Sequence, residues 1–201
     1  MLEAAGLACE RGGRRLFAEL AFALAGGEAL RIAGPNGSGK TSLIRILCGL
    51  AAPAAGEVRW QGTPIRELAE DYHRALIYIG HAPALKDELT PHENLDIATR
   101  LAGKRCEATA LGGALQALAV PDLPVRKLSQ GQRRRAALAR LLVEKEAPLW
   151  LLDEPFAALD SAATKDLEML AARHLRAGGS LVYTTHQASA LDRTARVIEL
   201  G

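Results

Sequence analysis

The sequence is poor in aromatic residues, which make up 4% of the chain, and its formal net charge at pH 7 is only +2. So small a net charge does not indicate binding to nucleic acid or to anionic lipid. Alanine and leucine are abundant instead, and both favour helices. We therefore expect the 201 residues to form one helix-rich α/β domain.

Cysteine is also scarce. The three cysteines, Cys9, Cys48 and Cys106, are odd in number and follow no spacing typical of a metal site or of haem attachment. We expect reduced thiols, as in a cytosolic protein.

Long apolar runs are missing too. No stretch approaches the roughly 18 apolar residues that a membrane-spanning helix requires. The N-terminus has no basic patch followed by an apolar run, so the sequence predicts no secretory signal. We expect a chain that is soluble by itself and that reaches a membrane only through a partner.

Apolar periodicity predicts alternating strands and helices at both ends of the chain. The predicted helices are Thr41–Leu50, with Leu43, Ile44, Leu47 and Leu50 on one face, and a second near Arg66–Arg74. The predicted strands are Leu16–Leu24, Glu28–Gly34, Glu57–Gly62, Ala75–Gly80, Leu149–Asp153, Ser180–Thr185 and Arg196–Leu200. Leu149–Asp153 and Ser180–Thr185 are continuous apolar runs, which is typical of parallel strands buried on both faces.

Helical patterning replaces the strands from about Pro83 to Glu146. Glycines and prolines, at Gly103, Gly112 and Pro121 to Pro124, divide this stretch into pieces. We interpret residues 83–146 as a helical subdomain inserted into an α/β core.

The segment "GPNGSGKT", Gly34–Thr41, fits the phosphate-binding P-loop pattern and lies between a predicted strand and a predicted helix. Glycines let backbone N–H groups surround phosphates, Lys40 reaches the terminal phosphates, and the Thr41 hydroxyl can bind Mg²⁺. The predicted phosphate-binding residues are Gly34, Pro35, Asn36, Gly37, Ser38, Gly39, Lys40, Thr41 and Ser42.

Two carboxylates follow the apolar strand in "LWLLDEP". In a P-loop enzyme, Asp153 at the end of the strand holds Mg²⁺, partly through water. Glu154 is placed to orient or deprotonate an attacking water.

His186 in "YTTHQ" follows the next buried strand, at the edge where open α/β sheets place their ligands. A contact with the γ-phosphate and a purely structural role both remain open for it.

A second predicted anion site lies far from the P-loop, at the helix start in "LSQGQRRRAALAR", Leu128–Arg140. A P-loop, then "LSQGQ", then "LWLLDEP", "AALD" and a histidine at a strand end, in this order, resembles the ATP-binding-cassette (ABC) ATPases. The family signature is usually written LSGGQ, and Gln130 replaces its first glycine.

The resemblance implies the fold and the assembly. It implies that residues 1–201 form a single ABC ATPase domain with a P-loop NTPase core, in which a RecA-like parallel sheet carries N-terminal antiparallel strands and an inserted helical subdomain. It also implies a head-to-tail homodimer that closes on ATP, each ATP lying between Lys40 of one chain and the signature of its mate.

The same resemblance implies roles for residues outside the P-loop. Ser129, Gly131 and Gln132 would contact the nucleotide across the dimer, and Asp160 of "AALD" would communicate between the two chains. For Arg133, Arg134 and Arg135 on the signature helix, a solvated basic face and a phosphate role are both open.

Two positions depart from the family pattern. The aromatic residue that usually stacks on adenine aligns with Arg11, whose guanidinium plane can stack on a base. The usual glutamine that touches Mg²⁺ aligns with His81. Because Mg²⁺ prefers oxygen ligands, a water-bridged contact suits His81 better than direct ligation.

These departures form a pattern of their own. "CERGGRRLF", "VRWQGTPI", "YIGHAPALKDELTPHENL" and "DEPFAALD" together resemble the haem-exporter ATP-binding subunits of the bacterial cytochrome c maturation system. The resemblance implies a motor subunit that hydrolyses ATP with Mg²⁺ and works on integral membrane subunits. It places the chain peripherally, on the cytoplasmic side of the bacterial inner membrane, with no nucleic acid partner.

The sequence is also compatible with other functions. The chain can energise export of another cargo, or act as a nucleotide-dependent assembly scaffold with little turnover. Cassettes of DNA repair carry a long coiled-coil insertion, and those of translation carry two cassettes, so neither class fits well. A P-loop metabolite kinase would not explain "LSQGQ".

Overall fold

Two adjacent glycines, Gly12 and Gly13, turn the chain back on itself with φ of 58° and 74°. Both values lie in the left-handed region that a two-residue hairpin of this kind requires. The hairpin opens an antiparallel sheet in the computed structural model, which describes residues 1–201. Its strands are β1 (Leu2–Arg11), β2 (Arg14–Leu24), β4 (Ala55–Trp60) and β5 (Thr63–Pro64), in the order β2-β1-β4-β5.

A second, parallel sheet forms the centre of the molecule. Its strands are β3 (Ala29–Ala33), β6 (Leu76–Ile79), β7 (Leu149–Leu152), β8 (Ser180–Thr184) and β9 (Arg196–Glu199), in the order β6-β7-β8-β3-β9. Every residue of β7 and β8 is buried, as the continuous apolar runs predict. The predicted α/β class, with a parallel sheet and N-terminal antiparallel strands, is confirmed.

The register of the parallel sheet decides where the polar residues meet. Ile79 pairs with Leu152, Leu152 pairs with Tyr183, and Ile32 pairs with Thr184. The chain segments that leave β3, β6, β7 and β8 therefore emerge side by side at one edge, the usual position of a ligand in such sheets.

Eight α-helices connect and cover the strands. They are α1 (Lys40–Leu47), α2 (Ile65–Leu68), α3 (Glu70–Ala75), α4 (Pro91–Leu101), α5 (Ala108–Ala117), α6 (Gln130–Leu138), α7 (Arg140–Val143) and α8 (Ser161–Arg176). Short 3₁₀ helices lie at Val125–Lys127 and Ala190–Arg193. No helix is both long enough and apolar enough to cross a membrane.

Two local predictions were wrong. The helix after the P-loop ends at Leu47, and Gly49 turns the chain with a φ of 74°, so Leu50 is 53% exposed and does not share the buried face. The helix predicted near Arg66–Arg74 is two short helices, because Ala69 between them has a φ of 41°.

The helices between β6 and β7 enclose a cluster of buried side chains of their own. Its nine members are Leu95, Leu111, Ala114, Leu115, Val120, Val125, Leu128, Ala136 and Ala139. The opposite side of α6 contributes Ala137 and Leu138 to the cluster that lines β7 and β8. Helix α6 thus belongs to both packing units, and we keep residues 83–146 as the proposed extent of the helical subdomain.

Candidate functional site

The P-loop joins β3 to α1 and ends on a buried lysine. Lys40 is 9% exposed, and its Nζ donates hydrogen bonds to the carbonyl oxygens of Gly34 (2.8 Å) and Pro35 (2.9 Å). Gly39, just before it, has a φ of 105°, and a Cβ there would lie 3.2 Å from the Phe17 ring. Only glycine suits this position. The loop therefore surrounds the Lys40 ammonium, which can exchange these two carbonyl oxygens for the oxygens of a bound anion.

Asp153 lies at the end of β7 and is 1% exposed. Its Oδ2 accepts a hydrogen bond of 2.8 Å from the Thr41 hydroxyl, and its Oδ1 accepts one of 2.7 Å from the Thr184 hydroxyl. A hydroxyl from α1 and a hydroxyl from β8 thus meet at one carboxylate beside the P-loop.

Glu154 follows with a φ of 51°, a strained value for a residue with a side chain. Its backbone N–H donates a 2.8 Å hydrogen bond to the Thr184 hydroxyl, which holds this unusual turn. Its Oε2 accepts a 3.3 Å hydrogen bond from the His186 backbone N–H. The other oxygen, Oε1, is buried without a hydrogen-bond partner and lies 3.4 Å from His186 Nε2. An unpartnered carboxylate oxygen is suited to accept a proton.

These groups line one cavity of about 730 Å³, which we call the P-loop cavity. Such a volume is in the usual range for a small-molecule site. Eleven of the predicted site residues line it: Arg11, Asn36, Gly37, Gly39, Lys40, Thr41, Ser42, His81, Asp153, Glu154 and His186. Gly34, Pro35 and Ser38 belong to the loop but do not line the cavity.

The two residues that depart from the family pattern lie at this cavity. Arg11 is the last residue of β1 and His81 follows β6, and both are exposed. Their proposed contacts, with a base for Arg11 and with a metal-bound water for His81, stay predictions.

The signature residues lie elsewhere. Ser129 is the N-cap of α6: its hydroxyl accepts a 3.2 Å hydrogen bond from the Gln132 N–H, and the Gln132 side chain accepts one of 2.9 Å from the Ser129 N–H. Ser129 is exposed, and neither it nor Gln132 lines the P-loop cavity. A Cβ on Gly131 would lie 2.7 Å from the Ala158 carbonyl oxygen, so this position accepts only glycine without a shift.

Asp160 caps α8 at its N-terminus. Its Oδ1 accepts a 2.8 Å hydrogen bond from the Ala163 N–H, and the residue is exposed. This contact is within the chain, so a role between two chains stays a prediction.

The residues present suit a magnesium ion bound together with phosphate. No group of three or more histidine, cysteine, aspartate or glutamate side chains is placed to hold a metal alone. Thr41 Oγ1 and Asp153 Oδ2 are oxygen ligands of the type Mg²⁺ prefers, and it usually takes its remaining ligands from phosphates and water.

Sequence reasoning missed two residues that contact the predicted site residues. Thr184 bridges Asp153 and Glu154 but looks like an ordinary strand residue. The readings of Arg134 as part of a solvated basic face or as a phosphate ligand were wrong, because its side chain is 2% exposed and faces backbone carbonyls. Arg134 lies between two other arginines, and the only local indication of burial is that Ala137 and Leu138, three and four residues later, share its face of the helix.

Comparison with known proteins identifies a family and several close relatives of this chain. The family model described as "ABC transporter" matches residues 17–157. A cytochrome c biogenesis ATP-binding export protein CcmA of Aromatoleum aromaticum is 53% identical over 100% of this chain and 95% of its own. Proteins of that name from Dechloromonas aromatica and Pseudomonas aeruginosa are 50% and 46% identical, each over 100% of both chains.

Solved structures agree on the fold. An ATP-binding subunit of an ABC transporter superposes with a TM-score of 0.86 at 26% identity, covering 99% of this chain and 85% of that one. A dimeric ATP-binding cassette, MJ0796, solved with ADP and phosphate, has the same TM-score of 0.86 at 23% identity, covering 100% of this chain and 94% of that one.

Proposed function

The chain belongs to the ABC transporter family, and within it to the cytochrome c biogenesis ATP-binding export proteins, and on this premise we propose how it works. It is an ABC-type ATPase. Two copies pair head to tail, and each ATP lies between Lys40 of one chain and Ser129 of the other. Closing and reopening of this homodimer drives membrane subunits of an exporter.

The separation of two anion sites within one chain carries this proposal. Lys40 lines the P-loop cavity, whereas the N-terminus of α6, which favours an anion, faces solvent with Ser129 as its cap. A head-to-tail pair brings the α6 N-terminus of each chain to the P-loop cavity of its mate. Because the pair is symmetric, two such composite sites form at once.

Within each cavity, the side chains divide the work. The Lys40 ammonium exchanges the Gly34 and Pro35 carbonyls for the terminal phosphates of ATP. Glu154, through its unpartnered Oε1, accepts the proton of the attacking water. His186, adjacent to Glu154, contacts the γ-phosphate.

Thr41 and Asp153 would hold a magnesium ion, partly through water, and the ion would supply positive charge against the phosphates. His81 lines the same cavity and would contact such an ion only through water.

A second, apolar groove of about 740 Å³ lies between α1, β6 and α4, and we propose that it receives a cytoplasmic segment of the membrane subunits. Two of its residues, Leu50 and Leu101, are 53% and 84% exposed. Large apolar side chains exposed around one groove are typical of a protein interface. His81 lines both this groove and the P-loop cavity, so a bound partner lies next to the hydrolytic site.

The proposed cargo of the exporter is inferred from the names of the relatives. Proteins 46% to 53% identical over the full chain are named for export in cytochrome c biogenesis. We infer that this chain energises haem export for cytochrome c maturation, from the cytoplasmic face of the bacterial inner membrane.

A complementation experiment tests the head-to-tail pair. Lys40→Met removes the ammonium, whereas Ser129→Asp keeps an N-cap residue but sets a negative charge against phosphate. Each variant alone is inactive. An equal mixture regains at most about a quarter of the wild-type ATPase rate, because half of its dimers contain one intact site.

Ser129→Asn is the matched control, since asparagine caps the helix equally well without the charge. It retains most of the activity. A mixture no more active than its two components would refute the shared site. In the wild-type background, Glu154→Gln binds ATP and lowers turnover by about 10²- to 10⁴-fold.

A further inference from the structure

Arg134, in the second turn of α6, donates all of its guanidinium hydrogen bonds to backbone carbonyl oxygens. The five acceptors are Gly80 O (2.7 Å), His81 O (3.4 Å), Asp153 O (2.7 Å), Glu154 O (2.6 Å) and Pro155 O (3.2 Å). A guanidinium has five N–H groups, and all of them are engaged. No carboxylate lies within ion-pair distance, so the carbonyls supply all of its hydrogen bonds, and the negative charges of the nearby Asp153 and Glu154 also offset its burial.

The acceptors belong to two segments that line the P-loop cavity. Gly80 and His81 follow β6, and the other three acceptors follow β7, where Glu154 adopts its strained φ of 51°. A carbonyl bound at 2.6 Å fixes the orientation of the peptide that aims the Glu154 side chain. Burial lowers the pKa of Arg134 to about 10, so the group still carries its charge near neutral pH.

The N-terminus of the same helix is the proposed sensor of the partner's ATP. Ser129 caps α6, and Arg134 follows it within the first turns of a continuous helix. A shift of α6 on contact with phosphate therefore moves the guanidinium together with the carbonyls that it holds.

We propose that Arg134 is a positioning residue that aims Glu154 of its own chain and ties that aim to the signature end of α6. Hydrolysis in one site is thereby linked to the nucleotide held in the other. The inference rests on the proposed function, since it takes Glu154 as the base and the dimer as head to tail.

Arginine is the residue that this position requires. Its planar fork presents donors in several fixed directions and reaches carbonyls from two segments at once, whereas lysine offers three donors on one atom. Arg134→Lys is therefore expected to keep part of the effect, and Arg134→Gln almost none.

Hybrid dimers with one intact Glu154 test whether Arg134 acts on Glu154 of its own chain or on that of the partner. Each hybrid is isolated through different affinity tags on its two chains and assayed with Mg-ATP. The reference pairs a wild-type chain with a Glu154→Gln chain. The first test hybrid places Arg134→Gln on the chain that keeps Glu154. The second places it on the chain that already carries Glu154→Gln.

We expect the first test hybrid to turn over about 10- to 100-fold more slowly than the reference, at a similar KM for ATP, because a base misplaced by about 1 Å loses rate in that range. The second hybrid, whose intact Glu154 lies beside an intact Arg134, matches the reference within about twofold.

The opposite results would overturn the inference. A first hybrid as fast as the reference shows that Arg134 does not position Glu154. Equal losses in both hybrids indicate a general loss of structure, and a loss in the second hybrid alone indicates an action across the interface.

A matched control carries Arg133→Gln in place of Arg134→Gln in the first hybrid. Arg133 is the neighbouring cation on α6, but its side chain is 33% exposed and pairs with Asp87 at 3.2 Å. This hybrid is expected to match the reference.

Folding of each variant is checked by thermal unfolding before assay. Should Arg134→Gln not fold, Arg134→Lys takes its place in both hybrids, with an intermediate loss expected in the first only. If neither variant folds, the role of Arg134 is structural and the inference is wrong. A fully active Glu154→Gln homodimer would refute the proposed function itself, since Glu154 would then not be the base.

Discussion

The Thr184 hydroxyl donates a 2.7 Å hydrogen bond to Asp153 Oδ1 at the carboxyl edge of the parallel sheet. The oxygen of this Thr184 hydroxyl also accepts a 2.8 Å hydrogen bond from the Glu154 backbone N–H. One small side chain on β8 therefore fixes both the proposed metal-binding carboxylate and the turn that aims the proposed base.

Replacing this hydroxyl by a methyl group tests its importance. Thr184→Val keeps the shape of the side chain but leaves a buried carboxylate oxygen and a backbone N–H without partners, which costs about 1–3 kcal/mol of unfolding free energy. Turnover is expected to fall by about tenfold or more, because both groups in the site lose their anchor. Urea unfolding and steady-state ATPase assays measure the two effects.

Thr184→Ser is the control, since it keeps the hydroxyl and both hydrogen bonds. It is expected to restore most of the turnover. If the serine and valine variants lost equal activity, the hydroxyl would not be the group that matters.

The sequence predicted the parts of the site that are encoded in consecutive residues. The P-loop, the carboxylates after β7 and the histidine after β8 each have a local pattern, and the order of strands brings them to one edge. All three line the P-loop cavity.

Thr184 and Arg134 could not be predicted in this way. Their partners lie far along the chain, 31 residues from Thr184 to Asp153 and 54 residues from Arg134 to Gly80. What makes them important is the register of two strands and the packing of α6 onto them, which a single sequence does not display. The break at Ala69, which depends on one φ value, was missed for a similar reason.

His81 offers a test of metal chemistry at the site. It lines the P-loop cavity, and the amide oxygen of a glutamine would be a better ligand for Mg²⁺ than its imidazole nitrogen. We expect His81→Gln to lower the Mg²⁺ concentration needed for half-maximal ATPase activity. Titration of Mg²⁺ at fixed ATP measures the change. A higher requirement in the variant would show that the imidazole itself serves the metal.

Leu101 tests the apolar groove. At 84% exposure it contributes little to folding, so Leu101→Glu is expected to change the unfolding free energy by less than about 0.5 kcal/mol. It places a charge in the proposed docking groove, and copurification with the membrane subunits of the exporter is expected to fall at least tenfold. Quantification of both proteins in the purified complex measures this loss.

Met169 provides the control for that experiment. It is 59% exposed on α8 and does not line the groove, so Met169→Glu adds the same charge at an unrelated surface. Its complex is expected to form as in the wild type. Equal losses for the two variants would argue against the groove as the docking site.

His174 tests the electrostatics of the core. Its ring stacks on Trp150, with centroids 3.9 Å apart and planes at 7°, and its Nε2 lies 3.3 Å from the Ser180 carbonyl oxygen. Burial lowers the pKa of His174 below its ordinary value of 6.5. As pH falls below that ordinary value, the unfolded chain binds a proton that the folded chain still refuses, so protonation favours unfolding.

Comparison with His174→Phe isolates this contribution, because phenylalanine keeps the stack and does not titrate. We expect the unfolding free energy of the wild type, minus that of the variant, to be largest near pH 7 and to decrease as pH falls below about 6.5. Urea unfolding of both proteins across this range measures the difference, and the subtraction removes the effect of every other titrating group. A difference that stays constant with pH, or increases towards acid, would show that His174 in the folded core accepts the proton at least as readily as in the unfolded chain.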